Sequence, residues 1–586
     1  MKKQFSVLCL YGLLTCLNCC KSKNSSQKKY NADISSDSTV IAKGKDLFQD
    51  NCSQCHNFNN NGIGPNLSGL FADSNLSAEW IRRFIKDPGL LISSGDAKAV
   101  LLYKQYGGVM PSFASLSDDK INAMIAYINT HREKRSQEAI PPNALKDPIT
   151  DTIQLSGLVL NLNELTRFPS SSDSDKPPLT RITKLDFQPG TGVNFMVDLR
   201  GKLFKLKKGK PGVYMDMKQL RPRFISDPGL ATGFGSFAFH PGFLKNGLLY
   251  TTHTESPGSV KPDFIYQDSI KVELQWILTE WKSIHPKDDS LAGTSRELLR
   301  INMVSGAHGV QDITFNPLSK PGDIDYGLLY IGVGDGACVQ EGYPFITGSK
   351  NRIWGTVICI DPSGNNSRNG KYGIPPSNPF AKENDSSTVK EIYAYGFRNP
   401  HRITWTRNKE MLVANIGQGN IESIDLVKPG NNYGWPVREG SFMFNPYGNL
   451  NTIFPLPVND SIYHITYPVA QFDHGEGNAV TGGYEYWGKL RSLKGKFLFG
   501  DIPSGRLFYF DVADIRKNKF VPIREWRISV NGVPTTLKKT SQSERVDLHF
   551  GRDARGEIFL FTKADGKLYQ ITGANLSGTN TRKAKS

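Results

Sequence analysis

Two cysteines separated by two residues and followed directly by a histidine form the strongest chemical signal in the sequence. Cys52, Cys55 and His56 match the pattern C-x-x-C-H. Thiols at this spacing can add to the two vinyl groups of a haem, and the adjoining imidazole can bind its iron. A zinc site would need a second cysteine or histidine pair nearby, and neither residue type recurs before residue 131. The spacing therefore predicts a covalently attached haem c.

A second iron ligand is expected later in the same segment, and two methionines compete for the role. Met110 is followed by Pro111, which lacks an N–H and fixes the local backbone. Met124 lies in a predicted helix over 118–131 with apolar residues at helical spacing, a pattern more typical of a core position. We therefore predict Met110 as the ligand. A thioether opposite histidine raises the reduction potential and suits electron transfer.

Residues 40–132 resemble the small class I cytochromes c. An initial helix runs into the haem motif, and the string Gly64-Pro65-Asn66-Leu67, a Met-Pro pair and a closing helix follow. The resemblance implies a small all-α domain. Because His–Met ligation leaves the iron without an open position, such a domain carries electrons and does not catalyse.

The first twenty residues are predicted to be an export signal. A positively charged start precedes an apolar run that is too short to span a bilayer. The run ends in a pattern that resembles a bacterial lipoprotein signal, with lipidation expected at Cys20 and Cys16 as the competing position; an ordinary cleaved signal is the alternative. Residues 21–39 read as a disordered tether. These features predict an exported protein, anchored by lipid to a membrane on its periplasmic or cell-surface side.

The rest of the 586-residue chain is predicted to be β-rich, since 56 glycines and 34 prolines indicate many turns. Residues 133–178 are proline- and serine-rich and read as a linker, 179–574 as the large domain and 575–586 as a disordered tail. An alternating segment that ends in an aromatic, followed by a second apolar segment, recurs six times. This rhythm favours a six-bladed propeller, with a pair of β-sandwiches as the alternative. The first segments of the six units are 184–187, 237–239, 312–315, 402–405, 483–486 and 547–550.

Charge and the remaining cysteines add two expectations. The formal net charge is +16, but the basic residues are scattered and no groove-reading motif accompanies them, so nucleic acid is not an expected partner. Cys338 and Cys359 could pair or remain buried thiols, and the second reading is favoured.

Over about residues 180–572 the sequence resembles the soluble glucose/sorbosone dehydrogenases, which are six-bladed propellers that use pyrroloquinoline quinone (PQQ) and calcium. The matching strings occur in family order. They are Phe237-Ala238-Phe239-His240-Pro241, Tyr395-Gly396-Phe397-Arg398-Asn399-Pro400, Asn432-Tyr433-Gly434-Trp435-Pro436, Thr481-Gly482-Gly483-Tyr484, Gly500-Asp501 and Ser504-Gly505-Arg506.

The resemblance implies roles for individual residues. His308 corresponds to the catalytic base that takes a proton from a substrate hydroxyl, a task that suits an imidazole titrating near neutrality. Arg398 and Asn399 correspond to the pair that contacts the quinone, where a guanidinium can stabilise a developing oxyanion. Arg506 is expected to clamp a PQQ carboxylate. His474 is a possible pocket residue.

Calcium ligands are also implied by the resemblance. The backbone carbonyls of Gly417 and Gln418 correspond to ligands of the cofactor's calcium, and hard cations accept such oxygens. Glu422 and the Tyr433 carbonyl correspond to a second calcium site. His240, in contrast, is expected to be structural because it lies in a predicted turn.

Four positions depart from the family pattern. Ala231 replaces a glutamine near the quinone, Trp487 stands near a lysine that holds PQQ, and Met443 stands near an acidic calcium ligand. Ala307 replaces the acidic residue before the base, which predicts that His308 lacks the carboxylate that would orient it.

These observations predict a quinohaem oxidoreductase. A sugar or related alcohol would be oxidised at PQQ in the propeller, the haem would take the electrons one at a time, and a respiratory acceptor would receive them. The alternative is a propeller without enzymatic activity that binds carbohydrate or protein and is tethered to an electron-transfer cytochrome c.

Overall fold

A computed structural model describes residues 34–53, 55–58, 64–72, 76–106, 109–114, 116–133, 141–172, 175–227, 231–258, 260–516 and 519–576. The predicted signal over 1–20, Cys20, residues 21–33 of the predicted tether and residues 577–586 lie outside this range. Within it, no helix is both long enough and apolar enough to cross a membrane.

In the described part of the N-terminal unit there are five helices, in agreement with the all-α prediction. They are α1 (Ser38–Asn51), α2 (Ala78–Lys86), α3 (Pro88–Ser93), α4 (Ala97–Tyr106) and α5 (Asp118–Thr130). The Asp37 carboxylate begins α1 by accepting from the backbone N–H of Thr39. Helices α1 and α5 pack closely because Gly44 has no side chain: a Cβ there would lie 1.9 Å from the carbonyl oxygen of Ala123. This crossing fixes the end of α1, where the haem motif begins.

The remainder is β-rich, and its strands form one 13-stranded sheet and several smaller ones. The strands from the first half are β1 (Gln154–Arg167), β2 (Ile182–Phe187), β3 (Asn194–Asp198), β4 (Lys202–Lys207), β5 (Lys210–Asp216), β6 (Phe234–Phe239), β7 (Leu248–Glu255), β8 (Leu274–Ser283), β9 (Gly293–Met303), β10 (Asp312–Phe315), β11 (Leu329–Val333), β12 (Thr356–Ile360) and β13 (Ile392–Tyr395). Those from the second half are β14 (Pro400–Trp405), β15 (Met411–Asn415), β16 (Ile421–Val427), β17 (Arg438–Glu439), β18 (Phe442–Phe444), β19 (Ile453–Phe454), β20 (Ala470–Asp473), β21 (Val480–Glu485), β22 (Lys496–Asp501), β23 (Leu507–Asp511), β24 (Arg524–Val530), β25 (Val533–Thr535), β26 (Leu548–Arg552), β27 (Ile558–Thr562) and β28 (Lys567–Leu576). Three short helices interrupt them: α6 (Met217–Leu220), α7 (Phe243–Asn246) and α8 (Leu537–Ser541).

The arrangement is propeller-like. Strands β6–β9 and β10–β13 form antiparallel four-stranded sheets in chain order, and β14, β15, β16 and β20 form a third. Each aromatic-ended segment of the sequence repeat overlaps the first strand of a unit, namely β2, β6, β10, β14, β21 or β26. These first strands contact one another in that order, and β26 contacts β2. The loops that precede them therefore converge at one end of the hub.

The prediction that residues 133–178 form a linker is wrong in part, because this stretch contains strand β1. Strand β1 pairs in parallel with β24 and antiparallel with β28. Its alternating Leu160 and Leu162 are buried in the core. The prolines and serines on either side of β1 led to the prediction of a linker despite this alternation. The predicted tail also begins too early, since β28 continues to Leu576.

A buried ion network at the hub joins three of the first strands. The Asp312 carboxylate lies 2.9 Å from Lys184 Nζ and 3.1 Å from Arg402 Nη1. It also accepts the backbone N–H of Ile403 at 2.8 Å. Burial alone would raise the pKa of Asp312, but the charges of Lys184 and Arg402 outweigh it and hold that pKa below its usual value. The network fixes β2, β10 and β14 relative to one another, and with them the loops at the hub.

Candidate functional site

The haem motif lies at the end of α1 in a conformation that suits attachment. The N–H groups of Cys55 and His56 both donate to the Cys52 carbonyl, at 3.0 and 2.9 Å, so a tight turn presents the motif. His56 Nδ1 lies 2.9 Å from the Pro65 carbonyl oxygen, and burial lowers the pKa of His56. A neutral imidazole that donates from Nδ1 leaves Nε2 as the iron ligand. Cys52, Cys55 and His56 therefore fit a covalent haem.

The two competing methionines occupy different surroundings. Met124 is fully buried in the helical core, with its sulfur 3.8 Å from the Cys52 sulfur. Met110 is only partly buried and lies in an extended loop beside that core. The Ser112 hydroxyl anchors this loop by donating to the Lys86 carbonyl at 2.6 Å. The burial of Met124 supports its assignment to the core. Met110 remains the predicted iron ligand.

Exchanging each methionine for alanine is expected to separate the two roles. Met110→Ala should lower the haem midpoint potential by on the order of 100 mV or more, because the iron loses its thioether while the covalent bonds retain the haem. Met124→Ala should cost about 2–5 kcal/mol in the free energy of unfolding and leave the potential in place. Potentiometric titration with thermal unfolding measures both quantities. The reverse pattern would assign the ligand to Met124.

His308 lies in the turn before β10 and is held by a carboxylate that the sequence reading missed. Its Nδ1 lies 2.8 Å from Asp335 Oδ1, just beyond β11. Asp335 is fixed in turn, since it accepts the backbone N–H of Ala337 at 2.8 Å and the indole N–H of Trp435 at 3.0 Å. His308 has a left-handed backbone, with φ of 47°. A Cβ on Gly334 would lie 2.0 Å from the His308 carbonyl oxygen, so this close packing requires glycine there.

The electrostatics make His308 a neutral base. Burial lowers the pKa of His308, the nearby Arg398 lowers it further, and Asp335 only partly opposes them. The hydrogen bond to Asp335 places the proton on Nδ1, so Nε2 carries the lone pair. The expectation that Ala307 leaves the base unoriented is therefore wrong, because Asp335 supplies the orientation from a different turn.

Arg398 and Asn399 immediately precede β14 on the same end of the hub. Arg398 is 4% exposed, donates from Nε to the Gln418 side chain at 2.9 Å and from Nη1 to the Ile416 carbonyl at 3.3 Å. Among the described residues no carboxylate oxygen lies within 4.0 Å of its guanidinium nitrogens. A buried guanidinium without a carboxylate partner fits an oxyanion of the implied quinone. The Asn415 side chain positions the pair by accepting both backbone N–H groups.

The loop predicted to bind calcium is organised around another carboxylate that the sequence reading missed. Glu439 Oε1 accepts four consecutive backbone N–H groups at 2.8–3.0 Å, those of residues 418–421.

Glu422 is fully buried, and its oxygens instead accept from His474 Nε2 at 3.1 Å and from the Val480 N–H at 2.8 Å. The described residues contain no group of three or more His, Cys, Asp or Glu side chains arranged to hold a metal. Both Glu422 oxygens thus accept hydrogen bonds within the protein, and calcium binding by Glu422 and by the carbonyls of Gly417, Gln418 and Tyr433 stays a prediction.

Arg506 and His240 have structural partners. Arg506 binds Glu525 through Nε and Nη2 and Glu476 through Nη1, all within 3.0 Å. Its guanidinium thus already pairs with two carboxylates of the β domain. The expectation that Arg506 clamps a PQQ carboxylate is therefore not supported by its position. His240 Nδ1 accepts the Gly242 N–H at 2.9 Å, which confirms its structural role in a turn. Cys338 and Cys359 are buried free thiols, as favoured from the sequence.

The cytochrome unit packs against the same end of the hub. The Ser53 hydroxyl, inside the haem motif, donates to Glu341 Oε1 at 3.3 Å. Arg545 Nη1 donates to the Val109 carbonyl at 3.2 Å, next to Met110. Both Arg545 and Arg398 are close enough to Cys55 to lower the pKa of its thiol, although burial raises that pKa overall. The haem motif therefore faces the loop that carries Arg398.

Glu341 makes this interface sensitive to pH. Burial raises its pKa from 4.5 to about 7, against the hydrogen bond from Ser53. The folded protein then retains a proton that the unfolded chain releases, so stability should fall as the pH rises from about 4.5 to about 7. Glu341→Gln should flatten the pH dependence of the unfolding temperature over this interval. Glu164→Gln, at an exposed glutamate of β1, is the matched control, and an unchanged slope in Glu341→Gln would refute the assignment.

Comparison with known proteins places both units. A family model described as cytochrome c matches residues 41–132, and one described as glucose/sorbosone dehydrogenase matches residues 200–570, more than half of the chain. The chain belongs to the glucose/sorbosone dehydrogenase family. Its family domain thus carries His308, Asp335 and Arg398, and the fused cytochrome c domain carries the haem motif.

Individual relatives are distant. The HIPL1 protein of Arabidopsis thaliana is 25% identical over 378 residues, covering 56% of this chain and 52% of that protein. Quinoprotein glucose dehydrogenase B of Acinetobacter calcoaceticus is 25% identical over 339 residues, covering 54% and 64%. The structure of the soluble aldose sugar dehydrogenase from Escherichia coli in its apo-form has 16% identity and a TM-score of 0.49, covering 71% of this chain and all of that one. The chain spans about half the length of the first of these relatives.

Proposed function

We propose that this protein is an exported quinohaem oxidoreductase that oxidises a sugar or related alcohol at the hub and passes the electrons to its own haem. The observation that carries the proposal is the contact between the haem motif and the hub, where the Ser53 hydroxyl donates to Glu341 Oε1 at 3.3 Å. This contact supports a haem beside the end of the hub where His308 and Asp335 form an oriented base. A redox carrier so placed serves a neighbour that produces electrons.

The hub residues supply proton transfer and orientation. With Asp335 on Nδ1, His308 Nε2 can take the proton of a substrate hydroxyl as the carbon that bears it is oxidised. The Arg398 guanidinium, free of carboxylate partners, can hold an oxygen that gains negative charge. PQQ, which Arg398 and Asn399 would contact, supplies a two-electron acceptor for the hydride when bound.

The cytochrome domain would receive these electrons one at a time. Cys52 and Cys55 would hold the haem, and His56 Nε2 and Met110 would bind its iron. The direct contacts of Ser53 with Glu341 and of Val109 with Arg545 fix the domain over the hub. A respiratory protein is the proposed final acceptor.

Several finer features belong to the same proposal. We infer six blades, supported by the order in which the six first strands contact one another. We also infer calcium at the Gly417 and Gln418 carbonyls, and export with a lipid on Cys20, supported by the family pattern and the N-terminal sequence. The boundaries 40–132 for the cytochrome domain and 179–574 for the propeller change at three points, because α1 begins at Ser38, β1 belongs to the propeller and β28 continues to Leu576.

The test is substrate-driven haem reduction. Purified full-length protein is incubated with PQQ and calcium chloride, a panel of aldoses and polyols is added, and the haem absorption is followed. Reduction that depends on both the sugar and PQQ is the expected result. No reduction across the panel, together with no uptake of PQQ, would refute the proposal and favour the alternative of a carbohydrate- or protein-binding propeller tethered to a cytochrome c.

A further inference from the structure

A cavity lies at the opposite end of the hub from His308. It has a volume of about 530 Å³ and is lined by residues at the C-terminal ends of the first strands. His308 and Arg398, in contrast, lie just before the N-terminal ends of β10 and β14. Four of the aromatic residues that end the repeated segments line it. They are Phe187, Phe239, Phe315 and Trp405. The sequence repeat thus places a collar of aromatic rings around this cavity, a surface that suits the face of a ring-shaped ligand.

Arg552 is the unusual polar group of this cavity. It is 6% exposed, and its guanidinium carbon lies 4.0 Å from the centroid of the Trp487 ring and 5.3 Å from that of Tyr484. Within the described part of the chain its Nη1 has no hydrogen-bond acceptor and its guanidinium forms no salt bridge. Burial lowers the pKa of Arg552, although Asp186, Glu485 and Asp553 are near enough to oppose this. Because none of these carboxylates forms a salt bridge with it, a ligand can supply the missing acceptor.

Charge in the cavity favours an anion. Its lining contains four cationic side chains against two carboxylates. The cations are Lys184, Lys245, Lys320 and Arg552, and the carboxylates are Asp186 and Asp312. Asp312 is already neutralised by Lys184 and Arg402. Thr404 also belongs to the lining, and its buried hydroxyl lacks a partner among the described residues.

We propose that this cavity binds a small ring-bearing organic anion. Its carboxylate or phosphate group pairs with Arg552, and its ring packs against the aromatic collar. The planar guanidinium, stacked on Trp487, presents parallel N–H donors that match a carboxylate or a phosphate. Binding here is separate from oxidation at His308, because the two sites lie at opposite ends of the hub.

The experiment measures binding by calorimetry with the full-length haem protein. The probes are glucuronate, glucose 6-phosphate and inorganic phosphate, which separate a carboxylate source from a phosphate source and a ring from a bare anion. At least one ring-bearing anion should bind, more tightly than inorganic phosphate. Arg552→Met should weaken that binding at least tenfold, and Thr404→Val about threefold. Arg555→Met is the matched control, since Arg555 is exposed and paired with Asp553, and it should leave the affinity within twofold.

Stability provides the second measurement. Without ligand, Arg552→Met should unfold at the same temperature as the parent protein or above it, because it removes a buried cation that has no partner. Thr404→Val nearly preserves shape and tests the cavity should Arg552→Met fail to fold. The proposal is overturned if none of the three anions binds, or if inorganic phosphate binds as tightly as both ring-bearing anions. It is also overturned if Arg552→Met or Thr404→Val binds the anion as tightly as the parent protein, or if Arg555→Met loses as much affinity as Arg552→Met. Failure of the oxidoreductase proposal would show instead as absent haem reduction with this binding intact.

Discussion

Replacing His308 by alanine is expected to slow sugar-driven reduction of the haem by about 10²–10⁴-fold, the range that a positioned general base contributes. The change removes the Nε2 lone pair that would take the hydroxyl proton, while the haem ligands remain in a separate domain. Reduction by dithionite should therefore proceed at the rate of the parent protein. Stopped-flow absorption of the haem, with each reductant in turn, measures both rates.

Two further variants sharpen this prediction. Asp335→Asn keeps the size of the partner but removes its charge, so it should lower the rate and shift the pH profile of turnover, because the carboxylate fixes the tautomer of His308. His240→Ala is the matched histidine control, since His240 holds only a turn, and it should leave the pH profile alone. Sugar turnover that survives His308→Ala would show that the base lies elsewhere.

Removing both haem-attachment thiols should uncouple the two halves of the chain. In Cys52→Ala with Cys55→Ala the haem has no covalent anchor, and electrons from the hub lose their internal acceptor. We expect no covalently bound haem and no transfer to a respiratory acceptor. A small artificial dye that reaches the hub should still be reduced by sugar and PQQ. Haem staining of the denatured protein and a dye assay give the two readouts.

Cys359→Ala is the control for this pair. Cys359 is a buried free thiol in β12, far along the chain from the haem motif, so its loss should leave covalent haem and acceptor reduction in place. If the double variant loses dye reduction as fully as haem transfer, the hub is not an independent site of oxidation.

Local chemistry and periodicity in the sequence were sufficient for much of this architecture. The C-x-x-C-H motif, the helical spacing around Met124 and the six aromatic-ended segments each depend on residues close together in the chain. All six segments overlap strands at the hub. The exception is β1, whose leucine alternation lies within a stretch that its flanking prolines and serines made resemble a linker.

The parts that escaped prediction are contacts between residues far apart in sequence. Asp335 reaches His308 across 27 residues, Glu439 accepts from the 418–421 loop about 20 residues away, and Ser53 meets Glu341 across 288 residues. No local pattern specifies such pairs. The one available signal was the string Gly334-Asp335-Gly336 directly after a buried strand, since a carboxylate between two glycines in such a turn is a candidate for a hub site.

In the proposed function, electrons pass from the hub to the haem within one polypeptide. The most direct test of this transfer is single-turnover haem reduction, started by mixing the PQQ-loaded protein with the sugar that the panel identifies, at protein concentrations that span a hundredfold range. Transfer inside the chain predicts a first-order rate constant that is the same at every concentration. A rate constant that rises in proportion to protein concentration would show that electrons travel between molecules, and would contradict the account.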